Sequence, residues 1–296
     1  MISKNEINAF KILPATVTTI SKKLDVSPAS ASKITHKLIN NGLATKKRNG
    51  KTVLIEKEKT ILAQKLEEII RLFPRLPLEN ILTHSHLSII ATLTYPLKTE
   101  ELSSILDVTR QWIHKAITHL STYGIILKDK QGYFINSNHR PLLEFAIYYS
   151  EFQNYKTLST IIDDAIIIWR NGNEFLFKTK QEIPKIPKTA VTIYSNYQLP
   201  LISEMKYYYC SHRTLDVNDT ILHTILIDPQ SKTYNSYALL LYEKTKPKDI
   251  MQKTRLYNLT QHVHSLLNYL EERTPAEPFL PAWNDYQALI KQYKVY

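Results

Sequence analysis

The sequence has a single cysteine, Cys210, and only five glycines among its 296 residues. One cysteine excludes an internal disulfide framework and is typical of a reducing compartment, so we expect a cytoplasmic protein. The scarcity of glycine excludes the glycine-rich loops that cradle phosphates. No stretch approaches the roughly 18 apolar residues of a membrane span, and the N-terminal residues lack the apolar run of a signal peptide. The sequence therefore predicts a soluble chain without a membrane segment.

Clusters of metal-ligating residues are also missing. His84 and His86 form one two-ligand fragment, and His262 and His264 form another, without nearby cysteine or carboxylate partners. Residues i and i+2 do not share a helix face, so neither pair is typical of a metal site. We therefore predict that the chain binds no metal and no cofactor.

The positive charge is concentrated at one end of the chain. The net charge is +11, and residues 1–75 hold 15 Lys and Arg against 6 Asp and Glu, a balance of +9. Residues 76–161 hold 7 of each, and residues 162–296 hold 16 against 14. A basic cluster of this kind is typical of a face that binds a polyanion, whereas a generally basic surface would spread the excess evenly.

The chain contains an internal repeat. Leu24-Asp25-Val26-Ser27 returns later in the chain as Leu106-Asp107-Val108-Thr109. When the two segments are aligned on these residues, Gly42 meets Gly124 and Gly50 meets Gly132. The alignment needs no gap between these positions, which predicts a duplicated structural unit. We call its two occurrences the first copy and the second copy.

The first copy is predicted to hold three helices and a hairpin. Ser27 caps the third helix, with Pro28 at the first helical position and Gly42 just past the end. Strands at 43–45 and 52–55 follow, separated by a stretch with four cations and an Asn-Gly turn that is typical of a hairpin.

This layout resembles the winged helix-turn-helix of MarR- and ArsR-like transcription regulators over roughly residues 5–58. The resemblance implies that the third helix enters the major groove of DNA and that the hairpin contacts the backbone. Winged helices also mediate protein–protein contacts, an alternative that the charge of the hairpin disfavours. The implied DNA-binding residues are Ser27, Ala29, Ser30, Ser32, Lys33, His36 and Lys37 on the helix and Lys46, Lys47, Arg48 and Lys51 on the hairpin.

The second copy has the same layout but is neutral overall. Its third helix carries four side chains that are able to read bases, namely Arg110, Gln111, His114 and Lys115. Two interpretations stay open at this point: a second, weaker contact with DNA, or a module for packing and dimerisation. A long apolar helix at 141–161 follows, which is expected to pack against the second copy, the C-terminal domain or a second chain. Homodimerisation through this helix or through the helix predicted at 59–73 is a hypothesis.

The C-terminal third reads as strands at 165–169, 174–179, 190–195 and 205–210, followed by helices. This order, with the helix that opens at Asp216, resembles the C-terminal domain of AbiE-type antitoxin repressors, a relative of nucleotidyltransferases. An active enzyme of that kind needs a Gly-Ser turn followed by paired aspartates for magnesium, and this segment has neither. The resemblance therefore implies a catalytically inactive domain.

Together these patterns predict an α+β, mostly helical chain with two tandem winged helix-turn-helix units and a small mixed sheet-plus-helices domain. The predicted domains are 1–76, 77–161 and 162–296. We expect a non-catalytic, sequence-specific regulator of transcription that binds double-stranded DNA, with a protein partner or effector at the C-terminal domain. The alternative is a plasmid or viral replication initiator or partition protein with tandem winged helices. A degenerate enzyme ranks third.

Overall fold

The computed structural model describes residues 2–50, 52–211 and 213–295, except for the side chain of Asn49. The chain divides into two compact units, Met1–Thr157 and Leu158–Tyr296, which we call the N-terminal and C-terminal units. The fold is α+β and mostly helical, which confirms the predicted class. Among the described residues, no helix combines the length and the apolar character needed to cross a bilayer.

The N-terminal unit contains nine α-helices and two hairpins among its described residues, and the last helix runs slightly past the boundary of the unit. In chain order these elements are α1 (Lys4–Lys11), α2 (Val17–Leu24), α3 (Pro28–Asn40), β1 (Ala44–Asn49), β2 (Thr52–Lys57), α4 (Ile61–Leu72), α5 (Leu78–Ile81), α6 (His84–Thr92), α7 (Thr99–Leu106), α8 (Arg110–Thr122), β3 (Ile126–Lys128), β4 (Tyr133–Ile135) and α9 (Arg140–Ser159).

The repeat seen in the sequence is also present in the backbone. In the alignment of the two copies, α7 coincides with α2 and α8 coincides with α3 at both ends. The turn between the paired helices is the same, because Asp25 (φ 51°) and Asp107 (φ 52°) both adopt the left-handed conformation. Aspartate tolerates that conformation better than most residues, which explains its presence at both turns.

Local side-chain bonds fix each of these turns. The Ser21 hydroxyl donates to the Val26 carbonyl at 2.6 Å, and Ser103 donates to Val108 at 2.5 Å. Each hairpin is also tied back to the segment before the second helix of its copy, through an antiparallel bridge from β2 to Ala15 and from β4 to Leu97. The two copies therefore share both their helices and their connections.

The two hairpins differ in length. Strands β1 and β2 pair over six residues, from Ala44 opposite Lys57 to Asn49 opposite Thr52, whereas β3 and β4 pair over three. The prediction that the first strand ends at residue 45 was wrong, because the ladder continues through the cationic stretch. Charged side chains do not interrupt a ladder whose hydrogen bonds are made by the backbone. Lys46, Lys47 and Arg48 therefore lie on strand β1.

The glycines that end α3 and α8 provide a matched pair for a stability test. Both adopt a left-handed conformation, with φ of 70° at Gly42 and 67° at Gly124. A Cβ atom at residue 42 would lie 2.6 Å from the ring of Phe152 on α9, whereas one at residue 124 would have no atom within 4 Å.

We therefore expect Gly124→Ala to lower the free energy of unfolding by about 1 kcal/mol, because of the backbone conformation alone. Gly42→Ala should lower the free energy of unfolding by the same amount and by about 1 kcal/mol or more in addition, because the new methyl group crowds Phe152. Urea unfolding of the two variants measures the difference. Equal losses would contradict the packing of α9 against the end of α3.

The C-terminal unit is a three-stranded antiparallel sheet with five α-helices among its described residues. Its strands lie in the order β5 (Ile166–Asn171), β6 (Glu174–Thr179), β7 (Lys206–Cys210), with the predicted hairpin turn at Gly172. The helices are α10 (Val217–Ile227), α11 (Lys232–Thr245), α12 (Ile250–Thr254), α13 (Thr260–Glu272) and α14 (Trp283–Tyr293).

The strand predicted at 190–195 was wrong. Residues Ala190–Tyr197 form a 3₁₀ helix, and the buried side chains there are Ala190, Val191 and Tyr194. This spacing follows a helical turn, whereas a strand with one buried face would bury alternate residues. The chain does pair with β7 just before this helix, where the Thr189 amide donates to the Tyr207 carbonyl at 2.9 Å.

Candidate nucleic-acid interface

Helix α3 presents a polar face opposite its buried one. The Ser27 hydroxyl accepts from the Ser30 amide at 3.2 Å and so caps the helix N-terminus. The Ser27 hydroxyl also donates to that of Ser30 at 3.0 Å, so the half-buried Ser30 belongs to the cap. The buried residues of α3 are Ala31, Ile34, Thr35 and Leu38, and its exposed predicted site residues are Ala29, Ser32, Lys33, His36 and Lys37.

The cations of strand β1 point to both faces of the hairpin. Lys46, Lys47 and Arg48 are all exposed, and successive side chains of a strand alternate between faces. Lys46 lies opposite the buried Ile55, so Lys46 and Arg48 share the face that Ile55 turns towards the core. Lys47 lies on the other face, where its ammonium pairs with Glu56 at 3.6 Å. Lys51 lies outside the described residues.

Helix α3 and strand β1 border one cavity of about 400 Å³. We call it the basic groove; its lining includes Val17 of α2, Ser32, Lys33, His36 and Lys37 of α3, and Lys46 of β1. Among the described residues, no carboxylate lines the groove, and Lys33 and Lys46 make no ion pair. The arrangement therefore offers unpaired cations to an anion outside the protein.

Lys37 is the exception within the groove, because a buried acid faces it. The ammonium of Lys37 lies 3.8 Å from Oε1 of Glu6 on α1, and this carboxylate is only 1% exposed. The Ser3 hydroxyl donates to the same oxygen at 2.9 Å. Glu6 therefore holds the Lys37 side chain against the N-terminal helix while the lysine itself stays exposed.

Two cations of the second copy have partners within that copy. Lys128, which is the equivalent of Lys46 in the repeat, stands over the ring of Tyr133 at 5.1 Å. Arg110 pairs with Glu100 at 3.5 Å. This acid belongs to the first turn of α7, whereas α2 has no acid there and ends with two lysines.

The other predicted residues of the second copy lie along α8. Gln111 is exposed, and the exposed His114 has its Nδ1 atom 3.3 Å from the Thr118 hydroxyl. Lys115 is also exposed, but it borders a different cavity beside Trp112. The structure thus brings Ser32, Lys33, His36, Lys37 and Lys46 of the first copy to one groove. Ser27 and Ser30 instead form the helix cap, and Lys47 lies on the opposite face of the hairpin. The predicted residues of the second copy do not line this groove.

Sequence reasoning missed Val17 as a residue of the groove. Its spacing with Ile20 and Leu24 placed it on the inward face of α2, and it is in fact half-exposed at the end of that face. The available signal was the position of Val17 in the first turn of a short helix, because residues there lie at the edge of the helix packing.

The C-terminal unit holds a buried group of charged side chains around Arg213. Its guanidinium donates to Glu174 at 2.9 Å and to Asp219 at 2.8 Å, and it also contacts the Tyr257 hydroxyl. Lys253 donates to Asp219 at 2.7 Å. Burial alone would raise the pKa of Asp219, but these donors hold the pKa of its carboxyl well below the usual range. We call these residues the Arg213 cluster.

His223 lies beside the Arg213 cluster and is fully buried. Its Nε2 atom is 2.9 Å from the Tyr257 hydroxyl, its Nδ1 atom is 2.7 Å from the Thr189 hydroxyl, and its ring stacks on Tyr209. Burial lowers the pKa of His223 to about 3, so the imidazole is neutral at physiological pH. Because these groups satisfy one another, the arrangement is typical of a structural core. The described residues contain no group of His, Cys, Asp and Glu side chains arranged to hold a metal ion.

Comparison with known proteins gives one match. A family model described as HVO_2833_C, C-terminal, matches residues 184–295, which is less than half of the chain. The match includes β7 and helices α10 to α14 and thus most of the Arg213 cluster, whereas Glu174 on β6 lies before it. No curated protein and no solved structure matches the chain.

Proposed function

We propose that this protein binds double-stranded DNA in a sequence-specific way and regulates transcription, with the first copy as its winged helix-turn-helix. In this proposal α3 enters the major groove and the β1–β2 hairpin follows the phosphate backbone. The homodimer and the protein partner or effector of the C-terminal unit belong to the same proposal.

One observation carries the proposal: α3 and β1 border a single groove with unpaired lysines and no lining carboxylate among the described residues. Like charges held this close repel one another, which costs free energy unless an anion lies between them. A phosphate backbone supplies such anions at regular spacing, and the released counterions add to the affinity.

The composition of α3 indicates how sequence would be read. Ser32 and Ala29 are short and exposed, so the helix backbone is free to approach base edges closely. Lys33 and His36 are the longer exposed side chains of the same helix and are able to donate to guanine O6 or N7. We therefore expect phosphate contacts to supply most of the affinity and Lys33 and His36 to set preference.

The salt dependence of binding tests the proposal. Fluorescence anisotropy of a labelled duplex of about 30 base pairs, at salt between about 0.05 and 0.3 M, gives the slope of log affinity against log salt. If about six phosphates are neutralised, the slope is near −5, and a slope shallower than about −2 would overturn the proposal. Genome-wide footprinting then identifies the preferred sites, and occupancy without any sequence preference would contradict the regulatory part.

A further inference from the structure

The outward face of α8 has a different chemistry from that of α3, although the two helices are equivalent in the repeat. Three equivalent positions describe the change: Trp112 stands where α3 has Ser30, Lys115 where it has Lys33, and His119 where it has Lys37. A surface with one serine and two lysines in the first copy thus becomes an aromatic one with a single ammonium.

These residues line a pocket of about 380 Å³ between α6 and α8. Trp112, Lys115 and His119 come from α8, and His86 comes from α6. The hydroxyl-bearing residues Thr83 and Ser85 complete the rim. A volume of this size lies in the range that small organic ligands occupy.

The aromatic wall of the pocket is fixed in place. The rings of His86 and His119 stack with centroids 5.1 Å apart and planes 19° from parallel, and Tyr123 meets His119 edge-on. The Nδ1 atom of His86 lies 2.8 Å from the Asn80 carbonyl oxygen, which only accepts, so Nδ1 carries the hydrogen. Burial lowers the pKa of His86. The two stacked imidazoles therefore form a flat aromatic wall.

Lys115 supplies the charge of the pocket. Its side chain is exposed, no carboxylate lines the pocket, and Lys115 forms no ion pair with any residue that the structure describes. A flat apolar wall beside one unpaired ammonium fits a ligand that combines a planar ring with an anionic group.

We propose that the pocket between α6 and α8 binds a small aromatic anion, whose ring packs on Trp112 and the stacked imidazoles and whose carboxylate or phosphate binds Lys115. This proposal does not depend on DNA binding by the first copy, because no residue of the basic groove lines the pocket. The same chemistry is found in free aromatic carboxylates and in nucleotides, which the test below separates.

Isothermal titration calorimetry of the full chain with four probes tests the proposal. Benzoate carries both ring and anion, cyclohexanecarboxylate keeps the anion without the ring, and benzamide keeps the ring without the charge. We expect benzoate to bind with a Kd of about 1 mM or tighter and the other two at least about tenfold more weakly. Adenosine monophosphate is the fourth probe; tighter binding than benzoate assigns the pocket to a nucleotide, and weaker binding assigns it to a carboxylate.

Two substitutions and one control variant locate the binding site on the protein. Lys115→Gln should weaken benzoate roughly tenfold by removing a charge-assisted hydrogen bond. Lys130→Gln, on the hairpin of the same copy, removes an equally exposed charge and should change nothing. Ser85→Trp should block the pocket from its rim, with circular dichroism confirming that the variant folds. Absence of benzoate and nucleotide binding at about 10 mM, or equal binding by Lys115→Gln and the unaltered chain, would overturn the proposal.

Discussion

Replacing the three cations of strand β1 by alanine (Lys46→Ala, Lys47→Ala and Arg48→Ala together) is expected to weaken DNA binding about thirtyfold at about 0.15 M salt. The slope of log affinity against log salt should become less steep by about 2, because in the proposed complex Lys46 and Arg48, which share one face of the hairpin, each neutralise one phosphate. The loss should be the same for every DNA sequence, since phosphate contacts carry no sequence information. Anisotropy titrations at several salt concentrations measure both quantities.

The second copy offers the control for this variant. Lys128→Ala with Lys130→Ala removes two exposed charges from the equivalent hairpin, and we expect little change in affinity or slope. Within the first hairpin, Lys46→Ala should weaken binding more than Lys47→Ala, because Lys47 faces away and pairs with Glu56. An equal loss from the two hairpins would show that total charge matters and that the basic groove does not.

Replacing Arg213 by alanine should lower the stability of the C-terminal unit by about 3–5 kcal/mol. The guanidinium is 13% exposed and lies between Glu174 and Asp219, which are 3% and 0% exposed. Its removal leaves two buried carboxylates without their shared partner, and the cost is that of an uncompensated charge. Trp169 lies 5.3 Å from the Tyr257 ring, so tryptophan fluorescence during urea unfolding reports on this region.

An exposed ion pair in the same unit provides the comparison. Lys180 and Glu204 are 63% and 76% exposed, so Lys180→Ala should leave the free energy of unfolding nearly unchanged. Adding Glu174→Gln and Asp219→Asn to Arg213→Ala should recover part of the loss, because neutral amides no longer need a cation. Similar costs for Arg213→Ala and Lys180→Ala would show that the Arg213 cluster does not stabilise the core.

The predicted helices agree with the structure where the signal was local. Ser27, Pro28 and Gly42 mark the two ends of α3, and their equivalents mark α8, because caps and breakers act through bonds within a few residues. The strand prediction at 190–195 failed because the spacing of the apolar residues there is compatible with both a strand and a helix. In the structure this segment forms a helical turn, and the hydroxyl of its Tyr194 donates to Thr224 of α10.

The candidate site was only partly predictable for a similar reason. The sequence identified the cations of the first copy and the neutrality of the second, since charge depends on residue type alone. It did not indicate that Lys46 and Lys47 point in opposite directions, because these residues were predicted to lie between the two strands, whereas they belong to β1. It also did not predict the pocket beside Trp112, because that pocket is formed with residues of another helix.

By itself, the sequence determined the duplication, the helices and turns of both copies, and the concentration of positive charge in the first. These properties follow from residue type and short-range spacing. Only the tertiary structure decided which cations face an open groove, that Lys128 packs on Tyr133, and that Arg213 lies between two buried acids. Those outcomes depend on residues far apart in the chain, whose contacts form only when the elements pack together.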